Sequence, residues 1–182
     1  MEYTFKNSPE DYLRTIVLKE KSLTLNFEGS TYEYPYNKIT KVWLNNPGGF
    51  CSPGEFSCTL NIIDKKPVYI SSKNYNDKNE EIEQSNFYNS FVRVLHMHLG
   101  VNTTASFKFG TQPTAYIARV AIILAILTGC VASILLTNVN PFILILPSAL
   151  GIFVSVCGLK FCITRFPKGY NPNNIPLNLL PS

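Results

Sequence analysis

From residue 120 to residue 159 the chain carries no charged side chain; the run is mostly Ala, Val, Ile, Leu and Phe, broken once at Thr137-Asn138-Val139-Asn140-Pro141. A helix rises ~1.5 Å per residue, so such a run extends ~60 Å and crosses a ~30 Å hydrocarbon layer twice. The pattern predicts a transmembrane helical hairpin over 115–163, with spans at 115–137 and 141–163 and the polar break as its tip. Ahead of it the period changes. Alternating or short apolar runs at 12–18, 22–27, 31–34, 39–44, 55–63 and 67–70 read as strands. In 22–27, for example, Leu23, Leu25 and Phe27 point to one face and Ser22, Thr24 and Asn26 to the other. Polar turns at 28–30, 45–49 and 64–66 separate them, which predicts an antiparallel meander closed into a small barrel or sandwich. A helix follows at 78–99, where Tyr88, Phe91, Val92, Leu95 and Leu99 recur at three- and four-residue spacing. Asn76 or Asp77 is its expected cap, Glu80, Glu81 and Glu83 suit its first turns, and Gly100 is its expected stop. The expected fold class is α+β: a soluble domain over 1–100, a linker over 101–114, the hairpin, and a proline-rich extended tail over 164–182.

Strands first and one amphipathic helix last is an order that resembles the pleckstrin-homology-like domains of bacterial membrane proteins. The segment that carries the likeness is Tyr34-Pro35-Tyr36-Asn37-Lys38-Ile39-Thr40-Lys41-Val42-Trp43-Leu44, followed by a Gly-rich loop and a further strand pair. The resemblance covers about residues 10–100 and implies a seven-stranded barrel closed at one end by its C-terminal helix. Six strands are clear, so the seventh is expected in 1–6 or 41–50. Such folds serve as binding platforms, and the fold alone names no ligand. Phosphoinositide-binding members place several cations in the loop between their first two strands. Here that loop offers Lys19 and Lys21 around Glu20, with Arg14 on the strand before it. A protein or peptide partner on a strand edge is therefore the expected ligand.

Charge sharpens the division. Residues 1–112 hold twelve Lys/Arg and twelve Asp/Glu, and the last acid of the chain is Glu83. The net charge of +4 thus sits on Arg119, Lys160, Arg165 and Lys168, which flank the apolar runs, while the tip between them has none. Cytoplasmic flanks collect Lys and Arg, so both termini are expected in the cytoplasm, in a plasma or inner membrane. A basic patch for nucleic acid is not expected.

Within the spans, Ala125, Gly129 and Ser133 recur every four residues, as do Gly151 and Ser155. Such ridges let helices approach closely, either each other or another subunit. Phe50 in the Gly-rich loop, and Ile175, Leu177, Leu179 and Leu180 in the tail, are too apolar for solvent and are candidate partner-binding residues. The tail is expected to dock, on the soluble domain or on another protein. His96 and His98 point ~200° apart on a helix and do not suit one metal ion. No catalytic constellation, metal site or cofactor site stands out, so no enzymatic activity is expected. These readings point to a two-span membrane protein that presents a binding or scaffolding domain to a protein partner. The alternative is an oligomeric membrane effector or pore whose soluble domain senses a ligand.

Overall fold

The computed structural model describes residues 1–46, 55–76, 78–136 and 141–181, with the side chains of 136 and 141–144 left aside. The chain divides into two compact units. One comprises Met1–Phe109 together with the chain end from Lys168; the other is Gly110–Pro167. The fold is α+β, with mainly antiparallel sheets, and ends in two long apolar helices.

In the first unit β1 (Glu2–Phe5), β2 (Arg14–Leu18), β3 (Ser22–Phe27) and β4 (Ser30–Pro35) form an antiparallel meander in chain order. The β3–β4 connection is a two-residue turn: Phe27 pairs with Ser30, and Glu28 and Gly29 lie at φ 50° and 73°. Both left-handed residues match the twist of the strands they join, and glycine takes that conformation without strain. A 3₁₀ turn at Tyr36–Lys38 leads into β5 (Ile39–Asn45), which pairs antiparallel with β6 (Ser57–Ile62), itself antiparallel to β7 (Val68–Ser71). β8 (Asn74–Tyr75) and β9 (Glu81–Ile82) form a small hairpin. Next come α1 (Ser85–Asn102) and β10 (Ser106–Phe109). β10 runs parallel to β5 and also pairs with β11 (Lys168–Gly169), so the second sheet is ordered β11-β10-β5-β6-β7.

β1 lies inside residues 1–6, one of the two places where a further strand was expected, and its Tyr3 and Phe5 point into the core. Other expectations change. The barrel is not closed: among the described residues the strands form separate sheets. α1 begins at Ser85 rather than 78, because Asn76 organises a turn instead of a cap. Its Oδ1 accepts the backbone N–H groups of Lys78 and Glu80, both at 2.9 Å, which leaves Glu81 to pair in β9. The expected alternative cap, Asp77, lies outside the described residues. Gly100 lies within the helix, which continues to Asn102; a Cβ there would be in ordinary contact with Asn173 Oδ1 of the tail, at 3.5 Å. The linker over 101–114 is likewise occupied, by the end of α1, by β10 and by the start of the next helix.

The core of this unit is built from the inner faces of both sheets, the predicted stripe of α1 and the tail. Phe5, Ile16, Leu44, Leu60, Phe91 and Leu95 are all fully buried, and Ile175, Leu179 and Leu180 join the same cluster. At ~1.5–3 kcal/mol per buried large side chain, that cluster is the main stabilising term of the unit.

The second unit is a helical pair, α2 (Pro113–Leu136) and α3 (Pro141–Arg165). Both are long and apolar enough to cross a membrane. They extend beyond the expected 115–137 and 141–163 at their outer ends, and the expected tip at 137–140 lies outside the described residues. At the base the Thr111 N–H donates to the Arg165 carbonyl at 3.1 Å. Gly110, at φ 96°, passes so close that a Cβ would stand 2.8 Å from the Phe166 carbonyl oxygen.

Candidate functional site

The tail is seated by polar contacts as well as apolar ones. β11 pairs Gly169 with Lys108 and Lys168 with Phe109, and the Tyr170 N–H donates to the Phe107 carbonyl at 3.2 Å. The Asn89 side-chain amide donates to the Pro181 carbonyl at 2.8 Å, and that of Asn46 donates to the Asn178 carbonyl. The tail therefore runs along α1 from Gly100 back towards Asn89. Of the four tail candidates, Ile175, Leu179 and Leu180 are buried in the unit's own core, and Leu177 is exposed. The fifth candidate, Phe50, lies outside the described residues.

His96 is the polar centre of this seam. Its Nδ1 lies 2.7 Å from the Val92 carbonyl and its Nε2 lies 2.6 Å from the Tyr170 hydroxyl. A carbonyl can only accept, so Nδ1 carries the proton and Nε2 accepts from Tyr170. Burial pushes the His96 pKa down to about 4, the Val92 contact opposing the shift. His98 points elsewhere and stacks on Tyr36 at 5.6 Å, so the two imidazoles do not converge. Among the described residues no group of three or more His, Cys, Asp or Glu is placed to hold a metal ion. Sequence reasoning missed Tyr170; its aromatic ring in an otherwise Asn/Pro-rich segment was the available signal.

Two of the three cations around the first strand loop, Lys19 and Arg14, are already engaged. Lys19 pairs with Glu33 at 3.2 Å and Arg14 with Asp11 at 2.9 Å, while Arg14 also lies 4.7 Å over the Phe27 ring. The Ser22 hydroxyl donates to Glu33 at 2.6 Å; that bond, together with the hydrogen bond and charge of Lys19, holds the Glu33 carboxyl below the usual range. At the edge of the first sheet, β4 presents an almost wholly exposed strand.

In the hairpin the two small-residue ridges have different fates. On α3, Gly151, Ser155 and the neighbouring Gly158 are half-buried or buried. A Cβ on Gly151 would lie 3.7 Å from Cys130 Cβ, and one on Gly158 would lie 2.9 Å from Ile123 Cγ2. On α2, Ala125, Gly129 and Ser133 are exposed, and a Cβ on Gly129 would meet nothing within 4 Å. The Ser133 and Ser155 hydroxyls each donate to the carbonyl four residues back, at 2.8 Å. A groove of ≈ 440 Å³ opens between the helices around Leu127, Cys130, Pro147 and Gly151. Of the flanking cations, Arg119 and Lys160 are exposed on α2 and α3 and Arg165 closes α3. Lys168 belongs to β11, in the other unit.

No family model matches the chain, and neither a curated protein nor a solved structure does so.

Proposed function

We propose that this chain is a non-enzymatic, two-span membrane protein that presents a pleckstrin-homology-like domain to a protein partner on the cytoplasmic side. The observation that carries the reading is the insertion of two apolar helices between β10 and β11, strands that pair within one soluble unit. Because both chain ends belong to that unit, they stand on one side of any membrane the helices cross. Three cations near the helix ends, and the acid-free second half, favour the cytoplasm as that side. Seven strands of four or more residues precede α1 among the described residues, the count that the resemblance implies. β4, an exposed edge strand, suits a peptide that adds as a further strand. The test has two parts. Cysteine labelling at Lys66→Cys and at Asn138→Cys in sealed vesicles is expected to place the two positions on opposite sides. Proline substitutions along β4 are expected to remove the main partner captured from native membranes. Labelling from one side, or capture indifferent to β4, would sink the reading.

The alternative, an oligomeric membrane effector or pore, has one observation in its favour: the outward ridge of Ala125, Gly129 and Ser133. Mass in mild detergent separates the two, since a symmetric ring supports the oligomer and a monomer removes it.

A further inference from the structure

The outer edge of β4 has a fixed parity. The Tyr36 N–H donates to the Lys21 carbonyl at 3.1 Å, which marks residues 36 and 21 as a hydrogen-bonded pair. Every second pair along the ladder is then hydrogen-bonded too: Tyr34 with Leu23, Tyr32 with Leu25, and Ser30 with Phe27. Thr31, Glu33 and Pro35 therefore turn their backbone groups away from β3, to the edge of the sheet. Among the described residues, neither Thr31 nor Glu33 has a backbone partner on that side. Pro35 offers a carbonyl and no N–H. Native sheets blunt free edges with Lys, inward-pointing charges or Pro. Here the one such device is Pro35, at the strand's end, and the one charge in 31–35 is Glu33, which Lys19 of the same chain answers at 3.2 Å.

We propose that this edge pairs with the same edge of a second copy of the chain, antiparallel about Tyr32. That register sets Thr31 against Glu33 of the second copy, and Glu33 against its Thr31. Each of these two pairs exchanges two N–H···O bonds, so the edge N–H groups at 31 and 33 are satisfied in both copies. Pro35 falls opposite Gly29 of the second copy, beyond the ladder, where a missing N–H leaves no gap. A shift either way is worse. Pairing about Glu33 sets two carboxylates directly opposite and Thr31 against Pro35. Pairing about Thr31 runs Glu33 into the turn at Glu28-Gly29, where the backbone is left-handed. Tyr32, 47% exposed, meets its counterpart on the dyad as an aromatic cross-strand pair. An arbitrary strand satisfies the backbone alone; the second copy also answers Pro35, Glu33 and Tyr32. On the membrane reading above, two copies share one bilayer, and that confinement raises their effective concentration enough for a short ladder. The contact is isologous and closes as a dimer, unlike the ring of the alternative. It names the partner for the β4 edge and rests on the reading proposed above.

The test is oxidative cross-linking of the full chain in native membranes, read as a dimer on a non-reducing gel. In this register position 32 faces itself as a non-hydrogen-bonded pair with Cα atoms about 4.5 Å apart, inside disulfide range. Tyr32→Cys is expected to cross-link well above the background set by the unaltered chain's own cysteines. Thr31→Cys or Glu33→Cys alone is expected to stay at background, because each position lies diagonally from its own counterpart, roughly 7–8 Å away. Co-expressed, these two variants are expected to cross-link with each other, since 31 opposes 33 at about 5.5 Å. Adding Thr31→Pro to Tyr32→Cys removes two of the four hydrogen bonds and spares the pairing with β3. It is expected to reduce the dimer about tenfold or more and to leave the Trp43 fluorescence transition in place. Should Thr31→Pro disturb the fold, the co-expressed pair still decides the register. No dimer with Tyr32→Cys, an equal yield from Glu2→Cys on the opposite edge strand β1, or a cross-link to a different protein instead overturns the second copy as the occupant. Labelling of Lys66→Cys and Asn138→Cys from one side would fail the membrane reading, a result that position 32 cannot give.

Discussion

The two units use the same kinds of side chain in opposite ways. In the first unit Ile16, Leu60 and Leu95 are fully buried, held by strands and a helix drawn from distant parts of the chain. In the hairpin Leu135, Leu146 and Ile152 are 77%, 77% and 68% exposed, and the helices touch along one seam. Burial from water is the main term for the first. On the reading proposed above the exposed apolar face of the second lies in lipid, where close helix packing is the main term. The difference says where each should break: the first unit by losing a distant segment, the hairpin by losing a close approach.

The sharpest way to break the comparison is to end the chain after Pro167. That removes Ile175, Leu179 and Leu180 from the core of the first unit, along with β11 and the contacts of Tyr170 and Asn89. Three buried aliphatic side chains are worth about 5 kcal/mol or more, a large share of what a small domain has. Trp43, the single tryptophan and 5% exposed, reports on this unit alone. Its fluorescence transition is expected to fall by more than about 15 °C or to vanish, while the hairpin's helical signal stays. An unchanged Trp43 midpoint would show that the tail is not part of the unit.

A second effect, of up to a few kcal/mol, comes from pH. His96 is neutral in the folded unit with its pKa pushed down to about 4, against about 6.5 unfolded. Between those values the unfolded chain binds more protons, so stability is fully present above about pH 6.5 and is lost as pH falls towards 4. The slope is at most about 1.4 kcal/mol per pH unit. The groups facing the imidazole are the Val92 carbonyl, the Tyr170 hydroxyl and the Phe107 ring, none of them acidic at these pH values. His96→Asn is expected to flatten this part of the Trp43 stability profile; an unchanged slope would assign it to the carboxylates.

What could be read in advance followed the range of the interactions. The hairpin and the inner stripe of α1 are local periodicities, visible in any window of the right length. The parallel pairing of β10 with β5 was not visible, because Ser106-Phe107-Lys108-Phe109 alternates over only four residues, too short a run to outweigh a linker reading. The start of α1 was misplaced for a related reason: Asn76 suits a cap and a turn equally, and pairing of Glu81 with Tyr75 decided between them. Apolar content marked the tail for docking, yet nothing in it named His96 as the acceptor for Tyr170. Spacing found both ridges in the spans, but spacing alone cannot say which of two ridges faces the neighbouring helix.

That last point gives a contrast within the hairpin. Gly158→Leu forces a side chain onto Ile123 and is expected to cost about 1–3 kcal/mol of helix packing, whereas Gly129→Leu enters open space. Gly151→Cys supplies the readout, since its Cβ would stand 3.7 Å from that of Cys130, within disulfide range. Cross-linking of this pair is expected to slow with Gly158→Leu and to hold with Gly129→Leu. The reverse order would exchange the two faces of α2. A change in detergent mass with Gly129→Leu would favour the oligomeric alternative.

The smallest expected effect concerns the satisfaction of polar groups in the closed interior of the first unit. Tyr3 and Tyr88 are both buried there, with rings 6.1 Å apart. The Tyr3 hydroxyl donates to the Ser71 carbonyl at 2.7 Å and accepts from the Gln84 amide at 2.7 Å. The Tyr88 hydroxyl has no hydrogen-bond partner among the described residues, although the residue is fully buried. An unsatisfied buried hydroxyl costs about 1–3 kcal/mol, a cost that a phenyl ring in the same place does not carry. Tyr88→Phe is therefore expected to raise the Trp43 midpoint by about 4 °C or more, and Tyr3→Phe to lower it by leaving Ser71 and Gln84 without their partner. A loss of stability in Tyr88→Phe equal to that in Tyr3→Phe would mean that the Tyr88 hydroxyl is bonded in solution, and that this interior is as fully paired at position 88 as at position 3.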